Sequence, residues 1–157
     1  MISASIHEIK QELVTLKAGE VTAICLRLAR FKKENKELLS YLLFEAQDEQ
    51  NYIKNIKQEI KDLFGEINLS HLYFAKKTLR KILRVINKHS RYSGNKQTDL
   101  ELRIFFCQQL KISGIPFRQN AVLSNIFDGQ LKKIDAALAA LHEDLQHDYR
   151  KEIAALR

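Results

Sequence analysis

The chain has 157 residues, of which 45% are hydrophobic and 29% charged, with a formal net charge of +7. This composition is typical of a globular protein and excludes a disordered chain, and the length is about that of one domain with a core of ordinary size. One Pro and five Gly leave little material for hairpin turns or flexible linkers, which favours helices over sheets.

The sequence predicts neither secretion nor membrane insertion. No apolar run approaches the roughly 18 residues that cross a bilayer, and the segment 1–5 lacks the basic and apolar regions of a signal peptide. Cys25 and Cys107 each lie in an apolar helical pattern without a paired spacing, so we expect two small buried thiols. The resulting expectation is a cytoplasmic protein with no membrane partner.

Four amphipathic helices are predicted before residue 68 from apolar residues that recur every three or four positions. Residues 5–8, Ser-Ile-His-Glu, form a capping box for the first helix, and residues 17–19 end it. The second helix begins at about Glu20. Asn35 is a candidate cap for the third helix, and Asp48 lies at the start of the fourth.

The fifth helix, predicted from about Ser70 to His89, is divided sharply into two faces. Helical projection places an apolar stripe from Leu72 to Ile86 on one side and a band of cations on the other. No Asp or Glu occurs between residues 69 and 97, whereas eight Lys/Arg do, so the other 128 residues carry 18 cations and 19 carboxylates. The excess positive charge is therefore local. The cations of this surface are Lys76, Lys77, Arg80, Lys81, Arg84 and Lys88, with Arg91 as their extension into the next loop.

The remainder of the chain predicts further helices. Residues 90–95 form a predicted loop, and residues 98–101, Thr-Asp-Leu-Glu, form a capping box for a sixth helix that is apolar on nearly every side. The segment 113–116, which contains the only Pro, breaks the chain again. Beyond it, the apolar pattern predicts either one helix from about 120 to 154 with a weak point near Gly129, or two helices broken there.

Seven or eight antiparallel helices in a single all-α domain, residues 1–157, follow from these elements. Helical hairpins of this length favour a stack like that of HEAT or armadillo repeats, although no self-similar repeat is present, and the alternative is an irregular helical bundle. The last helix or helix pair has a near-heptad Leu seam that could form a homodimer. Four Ala residues at 136–140 broaden the seam and favour packing along its own domain.

The basic face of the fifth helix is the strongest candidate site, because so many like charges repel one another unless a ligand or neighbouring carboxylates compensate them. The structural alternative pairs these cations with Glu34, Glu37, Glu45, Asp48, Glu49, Glu59 or Asp62. A secondary basic cluster surrounds the junction of the second and third helices, and the two clusters would form one large patch if they lay side by side. The secondary cluster comprises Arg27, Arg30, Lys32, Lys33 and Lys36.

Catalytic motifs are absent from the sequence, so we expect a non-enzymatic helical module whose basic face binds an acidic protein partner. The alternative is sequence-independent binding to the phosphate backbone of nucleic acid, for which Tyr73 and Tyr92 are the candidate stacking residues. Residues 142–147 nearly match the zinc motif H-E-x-x-H, but the second His is one position late. A metal-dependent enzyme is therefore a distant alternative, and no metal site or cofactor is expected.

Overall fold

The computed structural model describes residues 2–157, and all of its regular elements are helical. No strand occurs in that range. A π-helical turn, Tyr41–Glu45, follows α3, and a 3-10 turn, Phe117–Gln119, precedes α7. The predicted all-α class and the helix number are confirmed. The eight α-helices are α1 Ile6–Thr15, α2 Ala18–Phe31, α3 Lys33–Ser40, α4 Glu49–Gly65, α5 Leu72–Ser93, α6 Lys96–Ile112, α7 Ala121–Ala139 and α8 Glu143–Ala154.

The chain divides into two compact units, Met1–Phe44 and Glu45–Arg157. That the chain forms a single domain, and that its helices stack as in HEAT or armadillo repeats, stay predictions. In the first unit, the capping box of Ser5 and Glu8 is confirmed, since the side chain of each accepts from the backbone N–H of the other. α2 packs against α3.

The start of α3 differs from the prediction. Asn35 lies inside this helix and does not cap it, because the N-cap position is occupied by Lys32. The Asn35 amide instead reaches back and donates to the carbonyl of Leu28 at 2.9 Å. It thereby satisfies one of the carbonyls that the last turn of a helix leaves without a partner.

Helices α1, α2 and α3 contain no buried residue. Large apolar side chains of this unit are open to solvent, including Phe31 and Phe44, each 76% exposed. Cys25 is consequently only half-buried, and the expectation of a buried thiol is wrong there, whereas Cys107 in α6 is fully buried as predicted. Among residues 2–44 only Tyr41 is buried, so the first unit leaves most of its apolar surface exposed.

The second unit holds the hydrophobic core. α4, α5 and α6 pack on one another, and α7 packs on α6. α6 has eight buried residues among its 17, more than any other helix of the described chain. The large side chains with less than 2% exposure include Ile60, Leu79, Ile82, Ile86, Leu100, Leu102, Phe106, Leu110, Leu123, Phe127 and Ile134.

The connection between α5 and α6 is shorter than predicted. Residues 90–93, expected in a loop, continue α5 for another turn, and the helix ends at Gly94 with φ 66°. Glycine adopts this left-handed conformation without steric cost, and its N–H closes the last turn on the Ser90 carbonyl at 2.9 Å. Asn95, rather than Thr98, caps α6, so the predicted capping box at residues 98–101 is wrong.

The C-terminal segment forms two helices, but the break is not at Gly129. That glycine lies inside α7, where its apolar neighbours keep their helical phase. A helix-interior glycine costs only about 1 kcal/mol relative to Ala, which burial of Phe127 and Ile134 on the same helix offsets. The chain breaks after Ala139, and His142 caps α8 by accepting from the backbone N–H of Asp144.

Candidate interaction surfaces

Helix α5 has the two-sided character that its sequence predicts. Ala75, Leu79, Ile82 and Ile86 are buried on one side. The basic face, defined as the seven cations from Lys76 to Arg91, lies on the other side. Five of these cations are exposed and two, Lys76 and Lys88, are half-buried. The exposed members are Lys77, Arg80, Lys81, Arg84 and Arg91.

Five members of the basic face, Lys76, Lys77, Arg80, Arg84 and Arg91, have no compensating carboxylate within residues 2–157. Within residues 2–157, the side chains of Lys77, Arg80 and Arg84 form neither an ion pair nor a hydrogen bond. Lys81 lies 3.9 Å from Glu66, and both side chains are more than half exposed. Such an exposed pair contributes about 0–1 kcal/mol. The predicted alternative of neutralisation by neighbouring carboxylates therefore does not hold for Lys77, Arg80 and Arg84.

The cations of the basic face form a line along the helix. Positions 77, 80/81, 84, 88 and 91 recur every three or four residues, so they share one face for about 21 Å at 1.5 Å per residue. Tyr73 lies at the N-terminal end of this line, where the Lys76 ammonium is 5.7 Å from the centre of its ring. Tyr73 is 62% exposed, and Leu69, Leu72 and Phe74, which are close to it in the sequence, are also exposed. The line of charge therefore begins near exposed apolar residues at the start of α5.

The far end of the line opens into a groove of about 420 Å³ between the end of α5 and the start of α6. Arg91 and Lys96 lie at this groove, together with Arg103. The buried Arg103 guanidinium is held by Asp99 at 2.8 Å, Gln130 at 2.8 Å and Asn87 at 3.0 Å. Most of its donors are therefore already occupied, and Arg103 positions the helices around it.

A polar network links α4, α6 and α8. The Glu101 carboxylate accepts from Lys57 at 2.8 Å and from the Tyr149 hydroxyl at 2.7 Å. Burial alone would raise the Glu101 pKa, but the hydrogen bonds from Lys57, Tyr149 and Gln97 together lower it. Burial, reinforced by the hydrogen bond to Glu101, raises the pKa of Tyr149 to about 12. These groups are already bonded to one another, so the network stabilises the packing of helices.

Sequence reasoning missed these buried polar groups. The only signal available was the pair Asp99 and Arg103, spaced i, i+4 inside an apolar helix, which marks a buried charge that needs a partner. The links between helices join residues 16 to 52 positions apart, such as Asn87 with Arg103 and Gln97 with Tyr149. Helical periodicity carries no information about pairs at such distances.

The secondary basic cluster lies in the first unit. All five of its cations are exposed. Four of them, Arg30, Lys32, Lys33 and Lys36, border a groove of about 710 Å³ between α2, α3 and the π-helical turn, whereas Arg27 lies outside it. Lys33 is 3.7 Å from Glu37 on its own helix. Four of the five cations of the secondary cluster thus form the rim of this groove.

The near-match to a zinc motif does not form a metal site, because His142 caps α8 and only His147 lies within that helix. In the part of the chain that is described, no three His, Cys, Asp or Glu side chains are grouped as metal ligands. Nor does any described helix have both the length and the hydrophobicity to cross a membrane. Comparisons with protein-family models, curated proteins and solved structures found no match.

Proposed function

We propose that the protein is a non-enzymatic, cytoplasmic helical module that binds an acidic protein partner through the basic face of α5. The observation that carries this proposal is the set of four exposed cations, Lys77, Arg80, Arg84 and Arg91, that have no ion pair within residues 2–157. An acidic surface that met them would gain several charge pairs along one line.

The energetics of α5 favour a role for these charges outside folding. Like charges spaced i, i+4 destabilise a helix by about 0.2–0.5 kcal/mol per pair, as for Lys77 with Lys81, Arg80 with Arg84, and Arg84 with Lys88. The buried face of the helix, which includes Leu79 and Ile82, stabilises it whatever the exposed face carries. Cations that weaken their own helix are best explained by a partner whose negative charges compensate them.

A protein partner is favoured by the exposed apolar residues at the start of α5. Leu69, Leu72 and Phe74 are between 39% and 59% exposed. Protein interfaces combine apolar anchors with a charged rim that selects the partner and speeds association. The exposed apolar residues at the start of α5 and the basic face of the same helix provide both components.

The test compares two triple variants of equal charge. K77E/R80E/R84E alters the basic face, whereas K132E/K133E/K151E alters exposed lysines on α7 and α8, and each lowers the formal net charge by six, from +7 to +1. Immobilised proteins are mixed with nuclease-treated lysate of the source organism. We expect acidic proteins captured by the wild type to be lost with the α5 triple and kept with the control. Equal capture by both triples would contradict the proposal.

Folding is checked on the same variants. K77E and R84E each place a carboxylate four residues before a lysine, Lys81 and Lys88 respectively, which is the favourable order for an i, i+4 pair. The α5 triple should therefore be at least as stable as the wild type in thermal melts. A large loss of stability would mean that the cations are structural, and the interaction proposal would fail with it.

A second candidate function is sequence-independent binding of single-stranded nucleic acid, favoured by Tyr73. An exposed ring in line with cations can stack on a base while the cations meet phosphates. Fluorescence anisotropy with a 20-nucleotide probe should then give a Kd of about 10⁻⁴–10⁻⁶ M at physiological salt and, for six phosphate contacts, a slope of log K against log salt of about −4 to −5. Y73A should weaken single-strand binding more than duplex binding. Binding weaker than millimolar at low salt would exclude this function.

A further inference from the structure

The groove on the first unit combines an open apolar floor with a basic rim. Leu26 and Leu43 of its floor are 47% and 55% exposed, and Phe31 and Phe44 beside them are each 76% exposed. Soluble proteins rarely leave contiguous apolar surface of this kind uncovered unless it binds something. The floor therefore needs an occupant that brings apolar side chains.

The rim specifies the charge of that occupant. Arg30, Lys32 and Lys36 form no ion pair within the described chain, and the weak pair of Lys33 with Glu37 is largely solvent-exposed at the lysine. No Asp or Glu lines the groove, whose lining residues all fall within the fully described segment 26–44. A ligand with carboxylates beside its apolar residues would match floor and rim together.

We infer that this groove binds an acidic amphipathic helix of a partner protein, one with a Leu, Ile or Phe stripe flanked by Asp or Glu. Helices lie in apolar grooves through anchors at i, i+3/i+4 and i+7, and flanking charges fix their register. The groove volume of about 710 Å³ accommodates a few such anchor side chains. This inference rests on the first unit alone and does not depend on the proposed role of α5.

Two other occupants fit the observations less well. A second copy of the same groove would bring four cations against four cations, which opposes self-association. A lipid surface could use the same apolar and basic residues, but it presents a flat boundary, whereas the groove here is lined by two helices and a turn. Charge complementarity and concavity together favour the acidic helix.

The experiment selects ligands from a display library of randomised 16-residue helical peptides on the full-length protein. We expect enriched peptides to carry an apolar i, i+3/i+4, i+7 stripe and at least two flanking carboxylates. A selected peptide, labelled with fluorescein, should bind R30E/K32E/K36E and L43S/F44S at least about tenfold more weakly than the wild type, since each rim charge and each anchor contributes on the order of 1 kcal/mol. Replacing the peptide carboxylates by Lys should have a similar effect.

The α5 variant K77E/R80E/R84E serves as the matched control, because it removes three cations elsewhere and should retain peptide binding. The altered side chains of the groove variants are exposed, so circular dichroism should report unchanged helix content. Enrichment of basic or purely polar peptides, or equal affinity for groove and control variants, would overturn the inference. If no peptide is selected, two further results would also overturn the inference. One is binding to vesicles of phosphatidylserine that L43S/F44S abolishes, and the other is dimerisation, seen by sedimentation, that the same variant abolishes.

Discussion

The hydroxyl of Thr98 donates a 2.5 Å hydrogen bond to the carboxylate of Glu49 and thereby joins the first turn of α6 to the first turn of α4. Thr98 is completely buried, and Ser93 at the end of α5 donates to the same Glu49 oxygen. One carboxylate therefore ties together the ends of three helices of the core. Its position explains why Thr98, which the sequence suggested as a helix cap, is not exposed.

Replacing Thr98 by Val should lower the free energy of unfolding by about 1–3 kcal/mol, because a nearly isosteric side chain removes a donor to a charged acceptor. Urea denaturation measures the change. The control is T78V on α5, whose hydroxyl donates only to the carbonyl of Phe74 one turn earlier, and this variant should change stability by about 0.5 kcal/mol or less. Equal effects of the two substitutions would mean that the link to Glu49 contributes nothing.

Replacing Arg103 by Met should cost about 2–4 kcal/mol of stability, because removal of a buried guanidinium leaves its polar partners unpaired. Arg103 is 6% exposed, and its guanidinium bonds to Asp99, Gln130 and Asn87. The control is R118M, which breaks the exposed 2.7 Å pair with Asp128 and should cost at most about 1 kcal/mol. An R103M protein as stable as R118M would refute the structural role of Arg103.

Tyr149 should contribute to a loss of stability above about pH 10. Its folded pKa of about 12 lies above the unfolded value of about 10, so the folded state favours the protonated phenol. The contribution is fully present below about pH 10 and is lost as the pH rises through about 12. NMR titration of ¹³Cζ-labelled tyrosines measures the midpoint directly.

The same titration separates the causes of that shift. In E101Q the midpoint of Tyr149 should fall below the wild-type value, because the hydrogen bond to the carboxylate and its charge both raise it. It should stay above about 10, since burial is the largest cause. A wild-type midpoint at the unfolded value would contradict the network. Y149F identifies the resonance and removes this part of the pH dependence.

The two cysteines should differ in reactivity. Burial raises the pKa of the Cys107 thiol to about 12, and its side chain has no exposed surface, whereas Cys25 is half-buried beside an open apolar cleft. A disulfide reagent such as DTNB at about pH 8 should therefore modify one thiol in the native protein and the second only after unfolding in guanidinium. C25S should abolish the native reaction. Two fast equivalents in the native state would show that Cys107 is accessible.

Helix existence was predictable from the sequence because apolar spacing records which face each helix buries. The ends were less predictable, since they depend on which polar group reaches the free backbone atoms. Residues 90–93 have the composition of a loop, yet the helix stops only where Gly94 adopts a positive φ. Glycine is a poor helix former, yet Gly129 lies inside α7, which the buried Phe127 keeps intact. The chain turns instead before His142.

The candidate surfaces were predictable to different degrees. The basic face of α5 follows from one helical projection, because its charges lie within one short stretch of sequence, residues 76–91. Whether Arg80 or Arg84 forms an ion pair with a carboxylate depends on how the helices pack, which the sequence alone does not reveal. The groove beside Arg30 and Lys36 was visible only as a charge cluster, because spacing does not reveal that the apolar residues between these cations remain uncovered.

The absence of buried residues in α1–α3 has a consequence for hydrogen exchange. Amides in these helices have no buried side chains to hold them closed, so they should exchange through local opening at low free energy. Amides of Leu79 and Ile86, on the fully buried face of α5, should exchange only through global unfolding. The segment before Glu45 would then gain protection when a partner covers it, and exchange measured with and without a ligand would locate that contact.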